Sequence, residues 1–543
     1  MKLYKFILPL LAIVAVGCDD YLDINESPNQ LTFDKALPSK LLPGAQVSLY
    51  RQQVGAWNQL GNVWMNSWTR NVASFGNGFD TELQLNITSG FSNNIWDTSA
   101  RQIKNFQAII DYPNPNGKYD YYVAAAKLGK AFYMQYFVDL FGNVPYSQAW
   151  QDIKNLTPAY DDDYAIYQDL IKSCADARNL IDNADPSVAE EMGSADVLLG
   201  GDMAKWIEFS NTLQLRLCLR MSNVTGARAT YRNAKLAEIA GGPFLADDVA
   251  ISPPFNGSNN DTASPAFNTY AIDAAGFARQ NRTFITMTGH AYKSLQSYAT
   301  TNWAAGQSRE IVPGSGVNYP DVTDPRSARL FTAAPSQPRR AVTQGGSFVT
   351  VGAPTTTFPG LPCRLGLIGN FNPYALAPNQ TLEEYASCPG YIMTKAESEF
   401  LQAEAAVRYP ALFSGAQSHF DDGIRSNCDM KVVASAAYIT TINTRPNFGL
   451  AASNTLNQRL HAIMYQKWVA LMGQHGIESY IDYIRTGFPF TPLSTNATQT
   501  RKPYRLIYPV SEYIANSANV PNMTTADCFV INSLTPFWVL GAN

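Results

Sequence analysis

Glu397 and Glu404 are the paired carboxylates from which a hydrolase could be built, and both lie in "KAESEFLQAEAAVR" (395–408), a run with the period of a helix. Seven residues on one helix place them about 10.5 Å apart along its axis. That exceeds the roughly 5–5.5 Å of retaining glycosidases and the roughly 6.5–9.5 Å of inverting ones, a gap that side-chain bending narrows. Arg216 and Arg220 offer the opposite charge. On 205–223, Trp206, Phe209, Leu213, Leu217 and Met221 form one stripe, with Arg220 inside it and Arg216 beside it. A cation on a core-facing stripe needs a partner. These four charges are therefore expected to make structural ion pairs between two helices; a ligand site is the sharper alternative. No G-x-S-x-G elbow, H-E-x-x-H or P-loop is present. The 4 histidines, His290, His419, His461 and His475, stand at no metal-ligand spacing, so neither a metal nor a cofactor is expected.

Stacking groups are the richer resource, because aromatic residues make up 12% of the chain and charged residues only 15%. Such a surface reads ligands by stacking and hydrogen bonding more than by charge. In "AWNQLGNVWMNSWTRNVASFGNGFD" (56–80), Trp57, Trp64 and Trp68 recur at spacings that put them on one helix face. Trp57 and Trp64 are expected in the core. Trp68 lies beside Arg70 and Asn71, and a loop with glycines and Phe75 follows at once. A flat ring with amide and guanidinium donors suits a sugar face or an extended peptide. Trp303, Tyr319 and Phe348 are candidates to complete that platform.

The elements that must position these groups are helical in the first and last thirds of the chain. In "YYVAAAKLGKAFYMQYFVDLFGNVPYSQAW" (121–150), Ala124, Leu128, Ala131 and Phe132 share one face with Lys130 turned away, and Gly142 and Pro145 end the run. Further helices are expected at about 164–181, 205–223, 395–408 and 460–489. Helical pairs with alanine at their contacts resemble tetratricopeptide repeats, without a clean consensus. Between about 243 and 391, Gly, Pro, Ser, Thr and Asn accumulate, as in "QGGSFVTVGAPTTTFPGLP", around short helices such as 283–298. The expected architecture is mostly α: a helical-repeat scaffold (41–242 and 392–543) carrying a loop-rich, irregular insert (243–391), where binding usually resides.

The N-terminus has the shape of a secretory signal, with Lys2 and Lys5 before the apolar stretch Phe6–Val16, too short to span a bilayer. It closes in Ala15-Val16-Gly17-Cys18, which resembles the lipobox of bacterial lipoproteins. Residues 1–17 are then the signal, Cys18 the acylated residue and 18–40 the tether, with two or more acyl chains holding the body on a membrane. Of the remaining cysteines, Cys174 and Cys218 are expected as buried thiols, while Cys363 and Cys388 flank a loop that a disulfide between them would close. A net charge of −4 speaks against an electrostatic nucleic-acid binder.

Seven stretches, in order from residue 18 to about 520, together resemble the SusD/RagB family of nutrient-binding outer-membrane lipoproteins, particularly its second branch. They are "CDDYLDINESPNQ", "NITSGFSNNIWD", "YFVDLFGNVPYSQAW", "WIEFSNTLQLRLCLR", "ESEFLQAEAAVR", "YQKWVALMGQHGIESYIDYIRTGFP" and "RLIYPVSEYIANSANV". The resemblance implies four tetratricopeptide-like helix pairs and a variable portion that holds ligand. It also implies a non-catalytic lid, facing the cell exterior, that passes an oligosaccharide or oligopeptide to a SusC-like TonB-dependent transporter. It assigns no ligand residue, so Trp68, Arg70, Asn71, Phe75, Trp303, Tyr319 and Phe348 rest on their own chemistry. A lipid-anchored glycan hydrolase and a helical-repeat scaffold that binds only proteins are the alternatives.

Overall fold

Small and apolar residues recur at helical spacing through most of the chain, and helices are what they form. The computed structural model describes residues 36–542 except 73–74, 252–254, 272, 274, 276, 278, 298–308, 333–340, 347, 350–363 and 366–385. Helix α1 (Pro38–Gln52) starts with proline at its first turn, where the missing N–H costs nothing, and runs through a π-helical turn (Gln53–Trp57) into α2 (Asn58–Trp64). Strand β1 (Trp68–Arg70) follows. Then come α3 (Asn93–Ile110), α4 (Asp120–Phe141), the short strands β2 (Val144–Pro145) and β3 (Tyr160–Asp161), α5 (Asp163–Asn183), α6 (Met203–Arg220) and α7 (Gly226–Ile239).

The middle third contributes β4 (Val249–Ile251), β5 (Ile285–Met287) and α8 (Gly289–Leu295). The last third returns to helices after β6 (Gly390–Met393): α9 (Lys395–Arg408), α10 (Ala416–Met430), α11 (Leu456–Leu471) and α12 (Gly476–Thr486). Side-chain caps fix several starts. The Asp162, Asp202 and Thr394 side chains accept from Ala165, Lys205 and Glu397 N–H, and Thr455 with Gln458 closes a capping box on α11. The protein is thus mostly α, with only short two-stranded pairings among the described residues.

Sequential helices pack on one another: α3 on α4, α4 on α5, α5 on α6, α6 on α7, α9 on α10 and α11 on α12. Non-sequential contacts of α9 with α6 and of α12 with α2 tie the two ends of the chain together. One hydrophobic cluster runs from Leu42 to Val539 and takes in Phe255, Ile285, Leu295 and Leu330 from the middle third. Cys174 and Cys218 are fully buried in it, as expected of apolar helix positions.

The helix face expected to align Trp57, Trp64 and Trp68 breaks after Trp64. Asn66 takes a left-handed φ of 53°, a conformation that asparagine tolerates better than most residues, and the chain leaves as β1, antiparallel to β5 with Trp68 opposite Met287. The helix expected at 460–489 is likewise two helices, separated at Gly473 with φ +80°. That break turns α12 back against α2, and Asn58 and Asn62 hold the crossing. Asn58 Oδ1 accepts from Gly476 N–H at 3.0 Å, and Asn62 Oδ1 from Gly473 N–H at 3.2 Å.

Candidate functional site

The break at Asn66 decides the fate of the tryptophan platform. Trp68 is 2% exposed, edge-on to Tyr270 at 5.4 Å, and Asn71 is buried as well, so neither presents a surface to a ligand. Arg70 pairs with Asp80 at 2.9 Å, and half-buried Phe75 sits edge-on to Phe284 at 5.1 Å. Tyr319 is half-buried with its hydroxyl 3.1 Å from His290 Nδ1. Phe348 begins a short strand paired with Ala341–Val342. Trp303, Cys18 and Cys363 lie outside the described residues. Cys388 is a free, buried thiol donating to Ser264 Oγ at 3.1 Å. The structure therefore corrects the expectation of an exposed platform built on Trp68 and Asn71. A strand, unlike a helix, sends alternate side chains to opposite faces, and here both faces are covered, with Trp68 and Thr69 each buried.

The charged quartet is buried in ion pairs, with partly different partners from those expected. Arg216 Nη1 lies 3.3 Å from Glu397 Oε1, and its guanidinium covers the Phe132 ring at 4.2 Å. Arg220 goes elsewhere: Nε meets Asp139 at 3.0 Å, Nη2 meets Glu478 at 2.7 Å and Nη1 meets Asp482 at 3.2 Å. Glu404 accepts two bonds from Arg485, at 2.5 and 2.8 Å, and one from Arg408 at 2.6 Å. Burial would raise the Glu404 carboxyl, but Arg485 and Arg408 hold it down to about 2. Burial does raise Glu397, against Lys467 and Arg216. Both glutamates are 0% exposed, so no substrate reaches either one in this conformation. Among the described residues, no group of three or more His, Cys, Asp and Glu is placed to hold a metal.

An open cleft of about 850 Å³ lies instead on the scaffold, between α3, α4, the start of α5 and the loop after β2. Its loop is pinned locally. Gly142, at φ +69°, ends α4, and β2 pairs with β3. Asp161 then accepts the backbone N–H of both Tyr146 and Ser147 at 2.9 Å. Trp150 takes a left-handed φ of 59°, which costs free energy for a bulky residue, and its indole N–H donates to the Ala100 carbonyl at 2.8 Å. The ring is thereby held at the cleft wall, half-buried, with Tyr146 beside it and Tyr112 at the end of α3. Ile153, 90% exposed, stands on the same wall.

Lys130 enters this cleft from α4. Its Nζ sits 4.3 Å from the Tyr146 ring centre and 5.1 Å from that of Trp150, and it donates to Gln107 Oε1 at 2.7 Å. Burial pushes its ammonium down to about 8, opposed by Asp169 and Asp111. Tyr146 donates its hydroxyl to Asp169 at 2.5 Å, and burial raises that phenol. Ring faces, an amide and a cation thus converge on one open volume, an arrangement that holds a polar ligand with flat apolar faces. The signal for it in the sequence is Lys130, turned away from the apolar face of α4, with Tyr146 and Trp150 just past the helix end.

Fold and cleft together describe a mostly helical scaffold with a preformed, aromatic-walled recess. The family model described as "Starch-binding associating with outer membrane" matches residues 28–282 and 322–509, and the chain belongs to this SusD-like family. Solved structures with the same fold include a chitin-binding SusD homologue from Flavobacterium johnsoniae (21% identity, TM-score 0.64, covering 92% of this chain and 98% of that one). A SusD homologue from Bacteroides fragilis matches at 18% identity and TM-score 0.61, covering 93% and 99%. A SusD/RagB family protein from Bacteroides thetaiotaomicron matches at 19% and 0.60, covering 89% and 95%. No curated protein matches. Among the described residues, no helix is long and apolar enough to cross a membrane.

Proposed function

We propose that the chain is a non-catalytic lipoprotein on the outer face of an outer membrane, acylated at Cys18. It captures a nutrient oligosaccharide and delivers it as a lid to a SusC-like TonB-dependent transporter. The observation that carries the binding part is the cleft itself, where the half-buried Trp150 and Tyr146 rings stand beside the Lys130 ammonium and the Gln107 amide. Pyranose rings present apolar faces for stacking and hydroxyls for hydrogen bonding, which is what such a wall accepts. The name of the Flavobacterium structure, a chitin-binding protein, favours sugar over peptide. Burial of Glu397 and Glu404 in ion pairs supports a binder over a hydrolase.

Titration calorimetry against oligosaccharide and oligopeptide panels tests the reading. Trp150→Ala is expected to weaken oligosaccharide capture about tenfold or more, with circular dichroism unchanged. Equal affinity in the variant would remove the cleft from the reading, and preference for peptides would replace the sugar. The tether is tested separately: Cys18→Ala is expected to move the protein from the membrane fraction to the soluble one. Continued membrane retention would sink the anchor.

A further inference from the structure

We propose that a strip of exposed aliphatic side chains on the scaffold is the surface on which the chain rests against its transporter. Ile153 and Leu156 supply it from the loop between β2 and β3, and Val510 and Ile514 from a short helix near the C-terminus. The inference rests on the reading of the chain as a lid for a β-barrel partner and assigns the surface that such a partner meets.

Helix α13 (Val510–Ala515) packs inside out. A surface helix ordinarily turns its aliphatic stripe to the core and its charges to water. Here the Glu512 carboxylate is spent on the body, accepting the Trp96 indole N–H at 3.1 Å and the Tyr160 hydroxyl at 2.7 Å. Val510 and Ile514, four residues apart on one face, are the exposed pair. Two amides stitch the end of this helix to the loop. Asn516 Nδ2 donates to the Pro158 carbonyl at 2.9 Å, and Asn519 Nδ2 to that of Thr157 at 3.0 Å. Ile153, Ile514 and Leu156, at 90%, 78% and 74%, are the three most exposed large hydrophobic side chains among the described residues, and all three fall on these two stitched segments. Single aliphatics scattered over a surface need no partner, whereas a convergence of the most exposed ones does.

Area and tether together select the occupant. The strip exposes on the order of 500 Å² of apolar surface, short of the roughly 800 Å² per partner that a stable free-standing complex buries, so a second copy meeting it in solution would hold weakly. A partner in the same membrane differs, because an acylated tether keeps the chain at high effective concentration beside it, and a small aliphatic contact then suffices. A contact of that size also releases, as a lid that opens requires. Aliphatic side chains offer no ring face to a sugar, and Thr157 and Ser517 beside them are exposed and uncharged. The complement is therefore an aliphatic protein surface with polar, uncharged margins.

The experiment uses the full mature chain, acylated and affinity-tagged, extracted in mild detergent from outer membranes that hold its SusC-like transporter, with the retained barrel identified by mass spectrometry. Ile514→Asp and Leu156→Asp are each expected to cut the retained barrel about tenfold or more. Circular dichroism and the thermal midpoint should stay unchanged, because neither side chain is buried. Val188→Asp, at an exposed aliphatic outside the strip, is expected to leave retention unchanged. Ile514→Asp should also keep full affinity for oligosaccharide, since Ile514 lies outside the cleft. Equal retention by the wild type and both variants overturns the inference and leaves the lid reading intact. Wild-type dimers in analytical ultracentrifugation that dissociate in Ile514→Asp overturn it in favour of a second copy. Binding of the Cys18→Ala chain to protein-free lipid vesicles that is lost on adding Ile514→Asp overturns it in favour of the membrane. A wild-type chain that binds oligosaccharide but retains no SusC-like barrel removes both this surface and the lid reading.

Discussion

Arg220→Met is expected to destabilise the protein by about 3–5 kcal/mol in urea unfolding, because it leaves three carboxylates buried around an uncharged stem. Asp139, Glu478 and Asp482 converge on that one guanidinium from α4 and α12, and Arg220 itself is 1% exposed. Burial alone would raise the Glu478 carboxyl, but Arg220, with Lys467, holds it well below its ordinary value of 4.5. A carboxylate held low when folded adds stability above that ordinary value and loses it as pH falls. Removing Arg220 reverses the balance at Glu478, and protonation then relieves the stranded charge. The deficit of the variant should therefore be largest above neutral pH and narrow on acidification, first at Asp139, which burial already raises to about 7 against Arg220, and then at Glu478. A loss under about 1 kcal/mol at pH 7, or a deficit that widens in acid, would show that this cluster does not hold α6 to α12.

Gly61→Ala is expected to cost about 3 kcal/mol or more, beyond what its single methyl group suggests. A Cβ at Gly61 would lie 2.0 Å from the carbonyl carbon and 2.2 Å from the carbonyl oxygen of Gly476. These are backbone atoms, so no side chain can swing aside, and α2 and α12 would have to separate. Separation would also pull Asn58 and Asn62 from the backbone groups of Gly476 and Gly473 that they bond. Gly44 supplies the control, since it lies in α1 with nothing within 4 Å of its added Cβ. Gly44→Ala should raise stability by about 0.5–1 kcal/mol through helix propensity alone. Thermal unfolding of the two variants checks the contrast; equal midpoints would mean that the crossing tolerates a methyl group.

Several features were legible in residue order alone because they depend on short-range periodicity. The helices at 163–183, 203–220 and 395–408 fall close to where apolar spacing puts them. Trp57 and Trp64 are core, and a buried arginine on an apolar stripe implied a buried acid, which for Arg216 is Glu397. Family membership was legible in the same way, from seven stretches in a set order.

The site was much less so. Trp68, Arg70 and Asn71 look like a platform only while the helix through Trp64 is assumed to continue, and one left-handed residue at Asn66 turns Trp68 into the core. Arg220 chose partners far along the chain, with Asp482 lying 262 positions further on. No local pattern encodes a pairing of that range; it follows from which helix faces meet once the whole core closes. The cleft is of the same kind, since Lys130, Trp150 and Gln107 become neighbours only when α3, α4 and the loop before β3 are packed together. Periodicity along one element sets which residues turn inward, whereas the identity of the neighbour they meet, and any recess left between elements, arises from packing across elements.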